Sequence, residues 1–145
     1  MEPYPHHYRV DAGASATGSV ALGGEGLPTI PTAPPTEFGG PGDQWSPESL
    51  LVGAVVDCFV LTFRAIASAS KLDWVQLRCS AEGTLDRVDH VTQFVGLRLA
   101  AELALPADGD AEKGKRLLEK AEHTCLVTNS LKCPVELETR VQVGA

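Results

Sequence analysis

Residues 46–70 read SPESLLVGAVVDCFVLTFRAIASAS, and this stretch decides the fold. It opens with Ser46, Pro47 and Glu48, which supply a serine N-cap, a proline at the first helical position and an acid in the first turn. Apolar residues then recur at helical spacing and occupy the other faces as well. The pattern predicts a long helix that is buried in a core or in a subunit interface.

The segments on either side predict strands and one further helix. Before the central helix we expect a hairpin at 7–22, a glycine turn at 23–26 and a short strand at 27–30. A proline-rich loop at 31–45 then leads to the helix. After it we expect two paired strands at 74–87 and 91–105, and a charged helix at 111–122. A short turn at 129–132 and a last strand at 135–143 follow. Runs of strands around two helices predict an α+β fold.

Length and charge limit the classes of protein that fit. The 145 residues are treated as a single domain, 1–145, with residues 1–7 expected to be disordered. A net charge of −7 disfavours a nucleic-acid partner. The longest apolar stretch, Leu50 to Ile66, is interrupted by Asp57 and Arg64, so we expect no membrane span. Because no secretory signal is recognisable, we expect a cytoplasmic protein.

The four cysteines, Cys58, Cys79, Cys125 and Cys133, form no C-x-x-C pair and match no common zinc module. We therefore expect no metal and no cofactor. Each cysteine is either a reactive thiol or a small buried hydrophobe. Cys79 stands in line with the apolar residues of its strand, which favours a structural role.

Two segments carry a family resemblance. They are GGPGDQWSPESLLVGAVVDCF at 39–59 and EKAEHTCLVTNSLK at 119–132. Together with the order of elements over residues 8–143, they resemble the osmotically inducible protein C and organic hydroperoxide resistance (OsmC/Ohr) family. The resemblance implies an OsmC-like α+β fold, in which antiparallel sheets wrap around a long buried central helix and two chains form an intertwined homodimer.

The resemblance also implies a reaction and its residues. It suggests a thiol-dependent peroxidase that reduces organic hydroperoxides or hydrogen peroxide. Cys58 would be the peroxidatic cysteine and Cys125 the resolving cysteine. Glu48 matches the family's glutamate at the helix start. An external dithiol would reduce the resulting disulfide.

The sequence departs from the family pattern at two places. The family's arginine in the first hairpin has no counterpart in the segment 16–20, and Leu126 stands where proline commonly follows the second cysteine. Without a cation, we expect burial to raise the pKa of the Cys58 thiol and activity to be weak. Three alternatives remain: a non-enzymatic OsmC-like dimer that binds a small ligand, a purely structural dimer, and Cys133 as a substitute resolving thiol.

Overall fold

The computed structural model describes residues 1–144 and consists of two compact units, Met1–Leu50 and Leu51–Ala145. Both units combine strands with helical segments. The α+β class predicted from the sequence is therefore confirmed.

The first unit holds a three-stranded antiparallel sheet. Its strands are β1 (Asp11–Gly13), β2 (Val20–Gly24) and β3 (Leu27–Thr32), in the order β1-β2-β3. β2 runs through Gly24, so the turn predicted at 23–26 is shorter than expected. β3 extends into the predicted loop and contains two prolines, which the sheet tolerates because β3 is an edge strand. A 3-10 helix, Thr36–Phe38, follows.

The central helix, α1 (Pro47–Ala69), starts where the sequence predicts. The Ser46 hydroxyl accepts a hydrogen bond from the Ser49 N–H at 3.1 Å. In return, the Ser49 hydroxyl accepts one from the Ser46 N–H at 2.8 Å. These reciprocal bonds satisfy two backbone donors that would otherwise lack partners, which fixes the first turn of α1.

The second unit contains a mixed sheet and two further helices. The sheet has the order β4-β5-β6, with β4 (Gln76–Val88), β5 (Val91–Leu105) and β6 (Val135–Val143). β4 and β5 form the predicted hairpin. β5 and β6 pair in parallel, so the expectation of antiparallel sheets is wrong for this pair. The cause is a crossover through α2 (Ala111–Thr124) and α3 (Leu126–Asn129), which returns the chain to the same end of the sheet.

The core of the second unit lies between α1, α2 and the inner face of β5. One stripe of α1 is fully buried: Val55, Phe59, Phe63 and Ala67. It packs with alternate residues of β5, from Leu97 to Leu105, and with the inner face of α2. The opposite side of α1 is open in the single chain, where Leu61 is 50% exposed. The all-round burial predicted for this helix is therefore not provided by one chain alone.

One helix in residues 1–144, α1, is long and apolar enough to cross a membrane by length and composition, with a mean hydropathy of 2.1 over its best window. The expectation that Asp57 and Arg64 exclude a span is therefore wrong on these two criteria. A core helix of a soluble protein meets the same criteria. The buried stripe of α1 against β5 and α2 is what a core helix requires.

A candidate two-cysteine site

Cys58 lies in the middle of α1, beside the buried stripe, and is partly buried. The residue before it, Asp57, is exposed, and the residue after it, Phe59, is fully buried. Cys58 therefore stands at the boundary between the core and the open side of the helix. One turn further along, the Thr62 Oγ1 lies 3.8 Å from the Cys58 Sγ.

Cys125 lies where α2 ends and α3 begins. Its backbone is extended, with φ −63° and ψ 113°, so it breaks the helix and serves as the N-cap of α3. Its carbonyl oxygen accepts hydrogen bonds from the Thr128 hydroxyl and from the Asn129 N–H, both at 3.0 Å. The side chain is fully buried. Position and orientation of this thiol are thus set by the break between two helices.

The fold brings the two cysteines together. The Cys125 thiol and the backbone N–H groups of Leu126 and Val127 lie near the Cys58 sulfur, where they lower the pKa of its thiol. Cys58 and Cys125, the pair that the family resemblance implies, are therefore neighbours in the structure. Both belong to the second unit, and both are free thiols.

The surroundings of Cys58 favour its thiolate. Burial raises the pKa of this thiol. Hydrogen bonds from the Val127 N–H, the Cys125 thiol, the Thr62 hydroxyl and the Leu126 N–H act in the opposite direction. Together they outweigh the burial and leave the pKa of Cys58 below its ordinary value. Each of these donors stabilises the charged form of the sulfur.

The surroundings of Cys125 favour its protonated form. Burial is the largest cause and raises the pKa of the Cys125 thiol. The backbone N–H and the hydroxyl of Thr128 oppose this, while the neighbouring Cys58 sulfur raises the pKa of Cys125 further. The pKa values of the two neighbouring thiols are therefore shifted in opposite directions, downward for Cys58 and upward for Cys125.

No cation is among the groups that act on Cys58 from residues 51–144. Arg64, on the same helix, is exposed. The expectation that a thiol without a neighbouring cation keeps a raised pKa is therefore wrong for Cys58. The reason is that neutral groups of Val127, Cys125, Thr62 and Leu126 lower the pKa of Cys58 by more than burial raises it.

Glu48 belongs to the first unit and lies in the first turn of α1. Its Oε1 is buried and has no hydrogen-bond partner among the described residues. A buried carboxylate oxygen without a donor is costly, and such groups are concentrated at functional sites. This oxygen can therefore accept a hydrogen bond from a ligand or from a cationic side chain.

The other two cysteines lie apart from these chemical features. Cys79 points inward from β4 and packs against the core, where burial raises the pKa of its thiol to about 11. Such a thiol is inert at neutral pH. Cys133 is half-buried and also packs against the core, just before β6. Within residues 1–144 there is no cluster of three or more side chains able to hold a metal ion.

Sequence reasoning missed three of the four donors to Cys58. Thr62 could have been found, because a residue four positions after a cysteine on a helix faces it. The N–H groups of Leu126 and Val127 leave no mark in side-chain identity. They become donors only because the chain turns at Cys125, and this turn depends on the packing of α2.

Comparisons with known proteins agree with this architecture. The chain matches the OsmC-like protein family over residues 40–140. The uncharacterized protein YmaD of Bacillus subtilis (strain 168) is 27% identical over 112 residues, which cover 75% of each chain. An OsmC-like protein of unknown function from Vibrio cholerae has a TM-score of 0.85 at 14% identity, covering 94% of this chain and 100% of its own. An organic hydroperoxide resistance protein from Legionella pneumophila has a TM-score of 0.76 at 22% identity, covering 97% and 99%.

Proposed function

Because the chain belongs to the OsmC-like protein family, we propose that it is a thiol-dependent peroxidase that reduces organic hydroperoxides or hydrogen peroxide. One observation carries the proposal: two adjacent thiols have pKa values shifted in opposite directions, Cys58 downward and Cys125 upward. A peroxidase of this type needs a thiolate that attacks and a thiol held in reserve to resolve. The family and its organic hydroperoxide resistance members support a peroxide-related redox role.

In the first step, the Cys58 thiolate attacks the terminal oxygen of the peroxide. A sulfur–oxygen bond forms while the oxygen–oxygen bond breaks, and the alkoxide leaves with a proton as an alcohol. Cys58 is oxidised to a sulfenic acid and the peroxide is reduced. The groups that lower the pKa of Cys58 favour the thiolate, which is the nucleophilic form of the sulfur.

In the second step, the Cys125 sulfur attacks the Cys58 sulfenic acid. A sulfur–sulfur bond forms, and the hydroxyl group leaves as water with the Cys125 proton. An external dithiol then reduces the disulfide by exchange and is itself oxidised. Cys125 is suited to this role because it lies beside the Cys58 sulfur and because the raised pKa of its thiol makes it the weaker acid of the two.

For Glu48 we propose a role in placing the peroxide. Its buried Oε1 has no partner among the described residues. It can therefore accept a hydrogen bond from the protonated oxygen of the peroxide, or from a cationic group that binds the peroxide. The family resemblance gives the same residue to the active site.

We further propose that the protein works as a cytoplasmic homodimer. One stripe of α1 packs against β5 and α2, as in the core helix of a soluble protein. In the single chain, however, the side of α1 that carries Leu61 remains open. A second copy of the chain would cover it and complete the burial that the sequence pattern of α1 predicts.

The test is steady-state reduction of cumene hydroperoxide in the presence of a dithiol. We expect the wild-type protein to turn over, Cys58→Ser to be inactive, and Cys125→Ser to react once and then stop unless the reductant reaches Cys58 directly. Cys79→Ser is the matched control and should keep full activity, because Cys79 lies in the core of its sheet. Turnover by Cys58→Ser at the wild-type rate would end the proposal.

A second function is favoured by the absence of a cation at Cys58 from residues 51–144. It is a non-enzymatic dimer that holds a small apolar or thiol-bearing ligand on the open side of α1, with cysteines that do not cycle. This function predicts ligand-dependent thermal stabilisation of both wild type and Cys58→Ser, and no peroxide consumption by either.

A further inference from the structure

Thr62 occupies the position on α1 that faces Cys58. The two residues are four positions apart, which places their side chains one above the other on the same side of the helix. The Thr62 Oγ1 lies 3.8 Å from the Cys58 Sγ, within hydrogen-bond reach of a sulfur atom. Both residues are partly buried.

The hydroxyl of Thr62 has a different partner from the hydroxyls of Thr124 and Ser130. Serine and threonine hydroxyls in helices commonly donate to the carbonyl four residues earlier. Thr124 does so to the Lys120 carbonyl at 2.8 Å, and Ser130 does so to the Leu126 carbonyl at 2.9 Å. In the part of the chain that the structure describes, Thr62 makes no bond of this kind. Its hydroxyl contacts the Cys58 sulfur instead.

We propose that Thr62 is a further functional residue of this site, whose hydroxyl donates a hydrogen bond to the Cys58 thiolate and thereby increases the reactivity of that sulfur. The inference rests on the proposed peroxidase function. A threonine hydroxyl can both donate and accept, so it can follow the sulfur from thiol to thiolate. The dipole of this neutral hydroxyl stabilises the thiolate in part, as the charge of a guanidinium would.

The groups that face Cys58 within the second unit leave this role to Thr62 and to the chain turn. Cys125 is the titratable neighbour, from the junction of α2 and α3, and it also donates to Cys58. On α1 itself, Asp57 and Arg64 are exposed and are not among the groups that act on Cys58. Because the donors from residues 51–144 are neutral, the reactivity of Cys58 should depend little on ionic strength.

The experiment measures the pH dependence of alkylation at Cys58 by iodoacetamide, with each cysteine quantified separately by mass spectrometry of its peptide. All four cysteines stay in place, so the donor from Cys125 is preserved. Thr62→Val removes the hydroxyl and keeps the branched shape, and Thr62→Ala removes it without adding a methyl group. Thr62→Ser restores the donor. Ser68→Ala, an exposed hydroxyl on the same helix, is the matched control.

We expect Thr62→Val and Thr62→Ala to raise the pKa of Cys58 by roughly half a unit to one unit, as loss of one hydrogen bond to a charged, partly exposed group implies. Thr62→Ser and Ser68→Ala should keep the wild-type pKa. Thr62→Val and Thr62→Ala should react more slowly with peroxide at pH values below the pKa of Cys58, and should regain the wild-type rate above it.

Two results separate this inference from the proposed function. If the pKa of Cys58 in the wild type is that of an ordinary thiol, the activation on which the proposed function depends is absent. If the wild-type pKa is low and both hydroxyl-deleting variants, folded by circular dichroism, leave it unchanged, Thr62 has no role in reactivity while the proposed function stands.

Discussion

Replacing Leu126 by proline removes one donor to Cys58 with little other change. The Leu126 N–H is among the groups that lower the pKa of Cys58. Proline has no N–H and is well tolerated at the first position of a helix, which is where Leu126 stands in α3. The preceding residue, Cys125, already has the extended backbone that a following proline requires. The Leu126 side chain is 70% exposed, so its loss costs little packing.

The size of the effect follows from the lost hydrogen bond. A hydrogen bond to a charged group contributes about 1.5–3 kcal/mol when it is buried. For a partly exposed sulfur, solvent reduces this to about half, or roughly 0.7–1.4 kcal/mol, which corresponds to a rise of about 0.5–1 unit in the pKa of Cys58. A thiolate of higher pKa is also a better nucleophile, with a Brønsted coefficient of about 0.4–0.5. Below the pKa the alkylation rate should therefore fall about two- to fourfold, and above it the rate should rise about two- to threefold.

The assay is Cys58 alkylation as a function of pH in Leu126→Pro, compared with Leu126→Ala. The alanine variant loses the same side chain and keeps the N–H, so it should match the wild type. If the rate-versus-pH profile of Leu126→Pro crosses that of the wild type, and the profile of Leu126→Ala does not, the Leu126 N–H acts on Cys58. Identical profiles for the two variants would refute the hydrogen-bond account of Cys58 activation at Leu126.

Three more predictions concern other parts of the molecule. Cys79→Ala should leave peroxide reduction unchanged. In the wild type, Cys79 should be alkylated far more slowly than Cys58 at neutral pH, because burial raises the pKa of Cys79 to about 11. Fast labelling of Cys79 would contradict its packing against the core. Glu48→Gln should keep the fold at least as stable, since it removes a buried charge without a partner, and should slow peroxide reduction by at least about tenfold; a variant with wild-type kinetics would remove Glu48 from the site. Leu61→Glu should convert the proposed dimer into a monomer in light scattering, because it places a charge on the open apolar side of α1. A variant that keeps a dimer mass would place the interface elsewhere.

Much of the fold could be predicted from local patterns. The start of α1 follows from Ser46, Pro47 and the first-turn acid, and alternation along β4 and β5 gives their hairpin nearly to the residue. The parallel pairing of β5 with β6 could not be predicted this way, because β6 alternates in the same manner whichever way it runs. Its direction is set by the crossover through α2, which is a long-range property of packing.

The site was predictable in its cysteines and not in its backbone donors. The distance along the sequence gives no reason for Cys58 to meet Cys125; the family resemblance supplied that pair. Thr62 could have been found from its spacing of four residues from Cys58 on a helix. The N–H groups of Leu126 and Val127 could not, because they depend on the turn of the backbone at Cys125. The departure at Leu126 looked like a weakness, yet its N–H is one that a proline would not offer.

The most direct test of the account is the oxidation product formed by one equivalent of cumene hydroperoxide. Peptide mapping of the wild-type protein should show a disulfide between Cys58 and Cys125, with Cys79 and Cys133 reduced. In Cys125→Ser, the same treatment should leave Cys58 as a sulfenic acid that a dimedone probe labels. A wild-type protein whose Cys58 remains a free thiol after the peroxide has been added would contradict the assignment of Cys58 as the attacking sulfur.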